Sequence, residues 1–144
     1  TNYRLGLFAS SKYIAEHDAI TNKTDLLNHG TVDYIEDLLY DDDLKFLNEF
    51  APGQKAKFRC STVIGQMYAV ASGSGIGVIP YFMAYTEPDL TPVLPELYIE
   101  RQFWLQVNPD SRQLARVRAT IDFIVNEIVN DKERFLSLPK YKDR

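Results

Sequence analysis

The sequence predicts an α/β fold built on one largely parallel sheet. Short apolar runs typical of strands recur along the 144-residue chain, and between them apolar residues fall at helical spacing. Strands that alternate with helices are most simply joined as neighbours in a parallel sheet. Hydrophobic residues make up 45% of the chain, which is enough to bury a core, and the length suits one domain.

The first half of the chain holds short elements. In order, they are a strand at Tyr3–Ser10, a helix capped by Ser10 or Ser11, a helix from Thr24 that Gly30 ends, and a strand at Thr31–Asp37. Three acids, Asp41 to Asp43, then begin a helix, where the helix dipole favours negative charge. After a turn at "PGQ", the segment "KAKFRCS" reads as a strand.

The clearest helix of the chain follows that strand. Ser61 or Thr62 caps it, and Gly73 ends it. Its apolar stripe lies at helical spacing and is made by Val63, Ile64, Met67, Val70 and Ala71. A buried strand, "IGVIP", then runs to Pro80.

The last third of the chain is predicted to hold a loop, a strand and a long helix. Residues 81–96 read as a loop-rich return, and "RQFWLQVN" reads as a strand. Asp110 with Gln113 resembles a capping box that opens a helix from Arg112 to about Asn130. The apolar face of this helix comprises Leu114, Val117, Ile121, Ile124, Val125 and Ile128.

Three glycines at alternate positions, Gly73, Gly75 and Gly77, raise the possibility of a phosphate-binding loop. Such loops run from a strand into a helix, whose N-terminus holds the phosphate. Here a helix runs into a strand, and a helix C-terminus carries partial negative charge. We therefore expect a structural joint in which Gly73 or Gly75 caps the helix and Gly77 allows close packing.

Composition excludes several classes of protein. The net charge of −4 argues against direct binding of nucleic acid by this chain. No apolar run approaches the roughly 20 residues that span a bilayer, so no membrane association is expected. The single cysteine, Cys60, rules out a disulfide within the chain and suits a reducing compartment such as the cytoplasm.

No group of residues indicates catalysis, a cofactor or a metal. Cys60 with His17 or His29 forms no known nucleophile motif. The three acids at Asp41–Asp43 lack the calcium-loop pattern. We therefore expect a chain that is not an enzyme, with no cofactor and no metal site.

Four segments together resemble the regulatory, effector-binding domain of LysR-type transcriptional regulators. They are "LGLFASSKYIAEH", "DLLNHG", "STVIGQMYAVASGSGIGVIPYFMA" and "FWLQVNPDSRQLARVRATIDFIVNEI". The most specific is the helix that ends in alternating glycines before a strand closed by Pro80. Their order and spacing match over about Leu5 to Ile128.

The resemblance implies a fold like that of type 2 periplasmic binding proteins, with an effector in the cleft between two subdomains. Residues 1–98 correspond to the second subdomain, nearly complete. Residues 99–144 correspond to a return segment that supplies a strand and the C-terminal helix of the first subdomain. The family's winged helix-turn-helix lies outside this chain, so operator DNA would be bound only through that N-terminal domain. The long helix must pack in an unusual way, or against another copy, to hide its apolar stripe.

The resemblance also assigns roles to individual residues. Effector contacts fall at Ser10, Ser61, Thr62, Pro80 and Phe82. The helix that begins near Ser61 resembles the one used in the family's dimer contact, and its outward side includes Gln66 and Tyr68. The implied partners are a small-molecule effector, such as a carboxylate or an aromatic metabolite, and further copies of the chain.

Two alternatives remain open from the residues themselves. Ser61 and Thr62 could contact an effector carboxylate or could serve only as N-caps. Tyr34 and Phe82 could line the cleft or belong to the core. At the level of function, an exported solute-binding protein of similar fold is the alternative to a transcriptional sensor.

Overall fold

The computed structural model describes residues 1–139 and contains a mixed five-stranded sheet, so the α/β class is confirmed. The strands are β1 (Asn2–Ser10), β2 (Thr31–Tyr34), β3 (Phe58–Cys60), β4 (Ile76–Pro80) and β5 (Leu90–Gln102), in the spatial order β3-β2-β4-β1-β5. β2 is parallel to β3 and β4, whereas β1 is antiparallel to β4 and β5. The prediction of a largely parallel sheet is therefore wrong, because the alternation of strands and helices does not reveal the direction of β1.

Six α-helices accompany the sheet in the described part of the chain. They are α1 (Ser11–Glu16), α2 (Phe46–Phe50), α3 (Val63–Ala71), α4 (Tyr81–Ala84), α5 (Ala115–Asn130) and α6 (Lys132–Leu136). Three single-turn 3-10 helices lie at Asp25–Asn28, Glu36–Leu38 and Asp42–Leu44. No helix within residues 1–139 is both long enough and apolar enough to cross a membrane.

The sheet is covered on both faces. Leu5 and Leu7 of β1 enter one cluster together with the apolar face of α2, and Phe8 enters the opposite cluster with Met67 and Val70 of α3. This alternation follows from the two-residue period of a strand. Because β4 is buried along its whole length, its sequence is apolar throughout instead of alternating.

Several predicted elements are shorter than expected. The strand from Thr31 stops at Tyr34 and gives way to the 3-10 helix at Glu36–Leu38. The helix expected after Asp41 divides into a 3-10 turn and α2. The helix expected from Thr24 is one 3-10 turn, because the Asp25 carboxylate accepts hydrogen bonds from residues that precede it, including the Thr21 backbone N–H at 2.8 Å.

The predicted loop-rich return at residues 81–96 is wrong. It contains α4 and the first half of β5. Among the described strands β5 pairs only with β1, so it is an edge strand of the sheet. Pro92 and Pro95 obscured this strand in the sequence, yet an edge strand tolerates proline. The register jumps from Gly6 opposite Tyr98 to Leu7 opposite Val93, so residues 94–97 bulge out of the ladder.

The strand predicted over Arg101–Asn108 ends at Gln102. Phe103 alone continues the pairing, by exchanging backbone hydrogen bonds with Thr1 at 2.8 and 2.9 Å. Beyond it, no strand in the described residues lies alongside. The capping box at Asp110 and Gln113 does not form either: α5 begins at Ala115, and its N-cap residue Leu114 provides no side-chain cap.

The long helix α5 keeps its amphipathic pattern but buries little of its apolar face against the rest of residues 1–139. None of its residues is buried, although Val117, Ile121, Ile124 and Ile128 are partly covered. Ile124 and Ile128 form one wall of a groove of about 460 Å³, and Phe103, Trp104 and Leu105 form another. The following helix, α6, packs on α4 and β1, and its residue Leu136 accepts a hydrogen bond from Arg4 at 3.1 Å.

Candidate functional site

The N-terminus of α3 lies directly after β3, at the end of the sheet where the parallel strands have their carboxyl termini. Thr62 caps the helix: its Oγ1 accepts a hydrogen bond from the backbone N–H of Gly65 at 3.1 Å. Ser61 is exposed, and its hydroxyl forms no hydrogen bond to any described residue. Capping is therefore the task of Thr62, and the Ser61 hydroxyl is available to a ligand.

A cavity of about 220 Å³ opens beside this helix N-terminus. It is lined by Tyr34, Ile35, Leu38, Leu39, Tyr40, Leu44, Ser61, Thr62 and Val63. β2 and β3 are parallel neighbours with Tyr34 opposite Cys60, so their carboxyl ends and the segments that follow meet here. Ligands of open α/β sheets bind in such crevices.

Sequence reasoning found only part of this cavity. The sequence identified Ser61, Thr62 and Tyr34. It missed Leu38 and Tyr40, which lie between the predicted strand and the predicted helix, and Leu44, which was assigned to that helix. The signal that could have found them is the parallel pairing of β2 with β3, which places whatever follows one strand next to whatever follows the other.

Burial sets the electrostatics around the cavity. Desolvation raises the pKa of the Tyr34 phenol, and it also raises the pKa of the Asp33 carboxyl, which lies on β2 opposite Arg59. Burial raises the pKa of the Cys60 thiol as well, so this cysteine is held in its protonated, weakly nucleophilic form. Across residues 1–139, no cluster of three acids, histidines or cysteines could hold a metal ion.

Pro80 and Phe82 also lie at the carboxyl-terminal end of the parallel strands, but they do not line this cavity. Pro80 ends β4, the neighbour of β2, and is buried. Phe82 belongs to an aromatic cluster (Tyr3, Phe82, Phe103, Phe135), with ring centroids 5.9 Å from Tyr3, 5.9 Å from Phe103 and 5.2 Å from Phe135. Their contact with an effector stays a prediction.

Ser10 does not share this site, contrary to the prediction. β1 is antiparallel to β4, with Leu5 opposite Pro80, so Ser10 lies at the other end of the strands, away from the N-terminus of α3. Only 2% of Ser10 is exposed, and its Oγ accepts the Tyr13 backbone N–H at 3.1 Å as the cap of α1. An effector held at the N-terminus of α3 therefore does not reach Ser10, because the antiparallel direction of β1 places Ser10 at the other end of the sheet.

The outward position predicted for Gln66 is also wrong. Gln66 is 1% exposed and shares the sheet-facing side of α3 with Met67 and Val70, and its Nε2 has no hydrogen-bond partner in the described part of the chain. Ile64, which was assigned to the apolar stripe, is instead 56% exposed, and Tyr68 is 59% exposed as expected. Residue polarity misled the assignment, since the rotation of α3 is set by its packing on β4 and β2.

The glycine run is a structural joint, as the direction of the chain predicted. Gly73 has φ +88° and donates to Val70 O at 2.9 Å, while Ser74 donates to Ala69 O at 3.0 Å, which together form a Schellman cap. A Cβ on Gly77 would lie 2.6 Å from Cγ2 of Val70. The joint therefore fixes how closely α3 approaches the sheet, and with it the position of Ser61.

Comparisons with known proteins agree with this architecture. The chain matches the family described as LysR substrate binding domain over residues 1–128. It is 28% identical over 85 residues to the iron-regulated virulence regulatory protein IrgB of Vibrio cholerae, covering 57% of this chain and 28% of that protein. The chain thus spans less than a third of this curated relative.

Solved structures show the same fold. The regulatory domain of CrgA from Neisseria meningitidis superposes with a TM-score of 0.65 at 20% identity, covering 88% of this chain and 65% of that one. Full-length AphB, a Vibrio cholerae virulence activator, superposes with a TM-score of 0.67 at 21% identity, covering 88% of this chain and 46% of AphB. The effector domain of AmpR from Pseudomonas aeruginosa superposes with a TM-score of 0.55 at 15% identity, covering 93% of this chain and 66% of that domain. The chain belongs to the LysR substrate-binding domain family: it is the effector-binding regulatory domain of a LysR-type transcriptional regulator, non-enzymatic and with a periplasmic-binding-protein-like fold.

Proposed function

We propose that this domain senses a small co-inducer in a cleft whose one wall is the cavity at the N-terminus of α3. The observation that carries the proposal is that Thr62 caps the helix, whereas the Ser61 hydroxyl forms no hydrogen bond to the described residues and can bind a ligand. The cavity of about 220 Å³ falls below the roughly 300 Å³ at which ligand pockets begin. Its size therefore supports a site completed by the other subdomain.

The lining favours an apolar or aromatic carboxylate as the effector. The N-terminus of α3 carries partial positive charge and free backbone N–H groups, and Ser61 adds a hydroxyl donor. Leu38, Leu39 and Leu44 supply an apolar wall, and Tyr34 and Tyr40 add aromatic rings. A carboxylate at the helix and an apolar body against the leucines match this distribution.

The division into residues 1–98 as the second subdomain and 99–144 as the return segment of the first is part of the proposal. The strand β5 passes from one to the other, and the aromatic cluster joins β1, α4 and α6 at the crossing. The groove between α5 and Trp104 supports packing of the return segment against the rest of the first subdomain.

Effector binding would act on gene expression through assembly in the cytoplasm. Closure of the cleft shifts an equilibrium between two arrangements of dimers and tetramers, and so the spacing of the N-terminal DNA-binding domains. The exposed side of α3, with Ile64 and Tyr68, supports a dimer contact on this helix. Membership of the LysR family favours this function over that of an exported solute-binding protein.

The test compares Ser61→Ala with Thr62→Ala in the full-length regulator. Small aromatic carboxylates are screened by thermal shift, with the amides of the same acids as controls. We expect acids to raise the Tm where amides do not. Ser61→Ala should abolish that rise with an unchanged ligand-free Tm, whereas Thr62→Ala should cost about 1 kcal/mol of stability through the lost cap. Equal shifts for acids and amides, or a shift that survives Ser61→Ala, would refute the proposed site.

A further inference from the structure

A second cavity lies on the other side of the domain, between α1 and β5. Its volume is about 290 Å³. Its walls are mostly aliphatic and are formed by Ile14, Ile20, Val93, Leu94, Pro92 and Pro95, and its polar rim includes His17 and Asp18. None of its lining residues belongs to the cavity at α3.

The bulge in β5 builds one wall of this cavity. Residues 94–97 leave the ladder between Val93 and Tyr98, and Leu94 turns with φ +50°, a left-handed conformation that is uncommon outside glycine. Leu94 stays buried despite this cost, so the chain holds a strained residue in place at the base of the cavity. Strained residues of this kind cluster at ligand sites.

Hydrogen bonding fixes what the rim offers to a ligand. The Nδ1 of His17 lies 2.9 Å from the Tyr13 carbonyl oxygen, which can only accept, so Nδ1 carries the proton. In the neutral form of the ring, Nε2 is therefore the acceptor. The next residue, Asp18, is exposed, and its carboxylate forms no hydrogen bond or ion pair to any residue in the range 1–139.

The other polar residues that line the cavity are already engaged. Thr91 Oγ1 lies 3.1 Å from the Ser11 hydroxyl, and the Tyr13 hydroxyl accepts the Gly30 N–H at 3.1 Å. The carboxylate of Asp18 and the imidazole of His17 therefore stand beside an aliphatic cavity.

We propose that this cavity is a second small-molecule site, which takes an amine with an apolar body. The ammonium donates to the Asp18 carboxylate and to Nε2 of His17, and the body fills the space against Ile14 and Leu94. The site uses residues of α1, of the loop that follows it and of β5, so it does not depend on the effector cleft. Its chemistry is opposite to that proposed for the cavity at α3, which takes an anion.

The experiment is a titration of the 144-residue chain with phenethylamine, followed by methyl and backbone NMR. 3-Phenylpropanoate, an anion of similar size, is the mismatched probe. We expect the amine to shift the methyl signals of Ile14 and Leu94, and the anion to leave them in place. Asp18→Asn should weaken amine binding about tenfold, which matches one charge-assisted hydrogen bond at a partly exposed site.

Glu16→Gln is the matched control, since it removes a carboxylate from α1 that does not line the cavity. It should change amine binding less than twofold. The inference is overturned if neither methyl signal shifts at high amine concentration, if the anion binds equally well, or if Asp18→Asn and Glu16→Gln have the same effect. These outcomes are independent of Ser61, so failure here is distinguishable from failure of the proposed effector site.

Discussion

Substitution of Gly77 by Ala tests whether the glycine joint sets the distance between α3 and the sheet. In an unobstructed strand this change would stabilise the domain by about 0.4–1 kcal/mol, because alanine has less conformational freedom to lose on folding. Here the added Cβ would lie 2.6 Å from Cγ2 of Val70 and 3.6 Å from the Val32 carbonyl oxygen. Valine is stiff about χ1, so α3 itself must move, and such overpacking costs about 1–3 kcal/mol. We expect a net loss of about 1–2 kcal/mol for Gly77→Ala, combining these two ranges.

A double-mutant cycle with Val70→Ala identifies the cause. Val70 is fully buried, and loss of its two methyl groups should cost about 2 kcal/mol alone. Because the shorter side chain leaves room for the new Cβ, the double variant should be about as stable as Val70→Ala, with a coupling energy of at least about 1 kcal/mol. Stability is measured by urea unfolding followed by far-UV circular dichroism.

Gly65→Ala is the control, since a Cβ there meets no atom closer than 3.3 Å, and it should be neutral or stabilising. The reasoning is refuted if Gly77→Ala is as stable as the parent chain. It is also refuted if the effects of Gly77→Ala and Val70→Ala add to within about 0.5 kcal/mol, as they do for independent sites.

Two further substitutions probe buried polar groups. Burial raises the pKa of the Asp33 carboxyl above its ordinary value of 3.8, so the folded state binds the carboxyl proton more tightly than the unfolded state does. The free energy of unfolding therefore falls as pH rises from 3.8 through the folded pKa. Asp33→Asn should therefore stabilise the domain at pH 7 relative to the parent, with an advantage that disappears below pH 3.8; urea unfolding at both pH values checks this, and equal stability at pH 7 would contradict it. Tyr13→Phe removes a hydroxyl that accepts the Gly30 N–H at 3.1 Å and lies 3.2 Å from Nδ1 of His29, which leaves two polar groups unpaired and should cost about 1–3 kcal/mol in the same assay. A loss below 0.5 kcal/mol would show that water replaces the hydroxyl.

The parts of the fold that sequence could predict are those set by local chemistry. The end of α3 at Gly73 and the continuous burial of β4 follow from neighbouring residues and were predicted, and the cap of α3 was narrowed to Ser61 or Thr62. The direction of β1 depends on which strands it pairs with, so no local pattern reveals it. The misplacement of Ser10 follows directly from that gap.

The candidate site was predictable in the same measure. Ser61 and Thr62 follow a recognisable strand, whereas Leu38 and Tyr40 reach the cavity only because β2 pairs with β3. The polarity of Gln66 predicted an exposed position on α3, and this prediction was wrong. Tertiary packing buries this amide on the sheet side of α3 and leaves Ile64 on the surface.

The edges of the sheet restrict how this domain can associate. One edge, β3, is only three residues long, and the other, β5, contains Pro92 and Pro95, which have no N–H to offer an approaching strand. Neither edge is a good template for strand addition by a second molecule. Growth into an extended intermolecular sheet is thereby opposed by the backbone itself, and copies of the domain are left to meet through helices and loops.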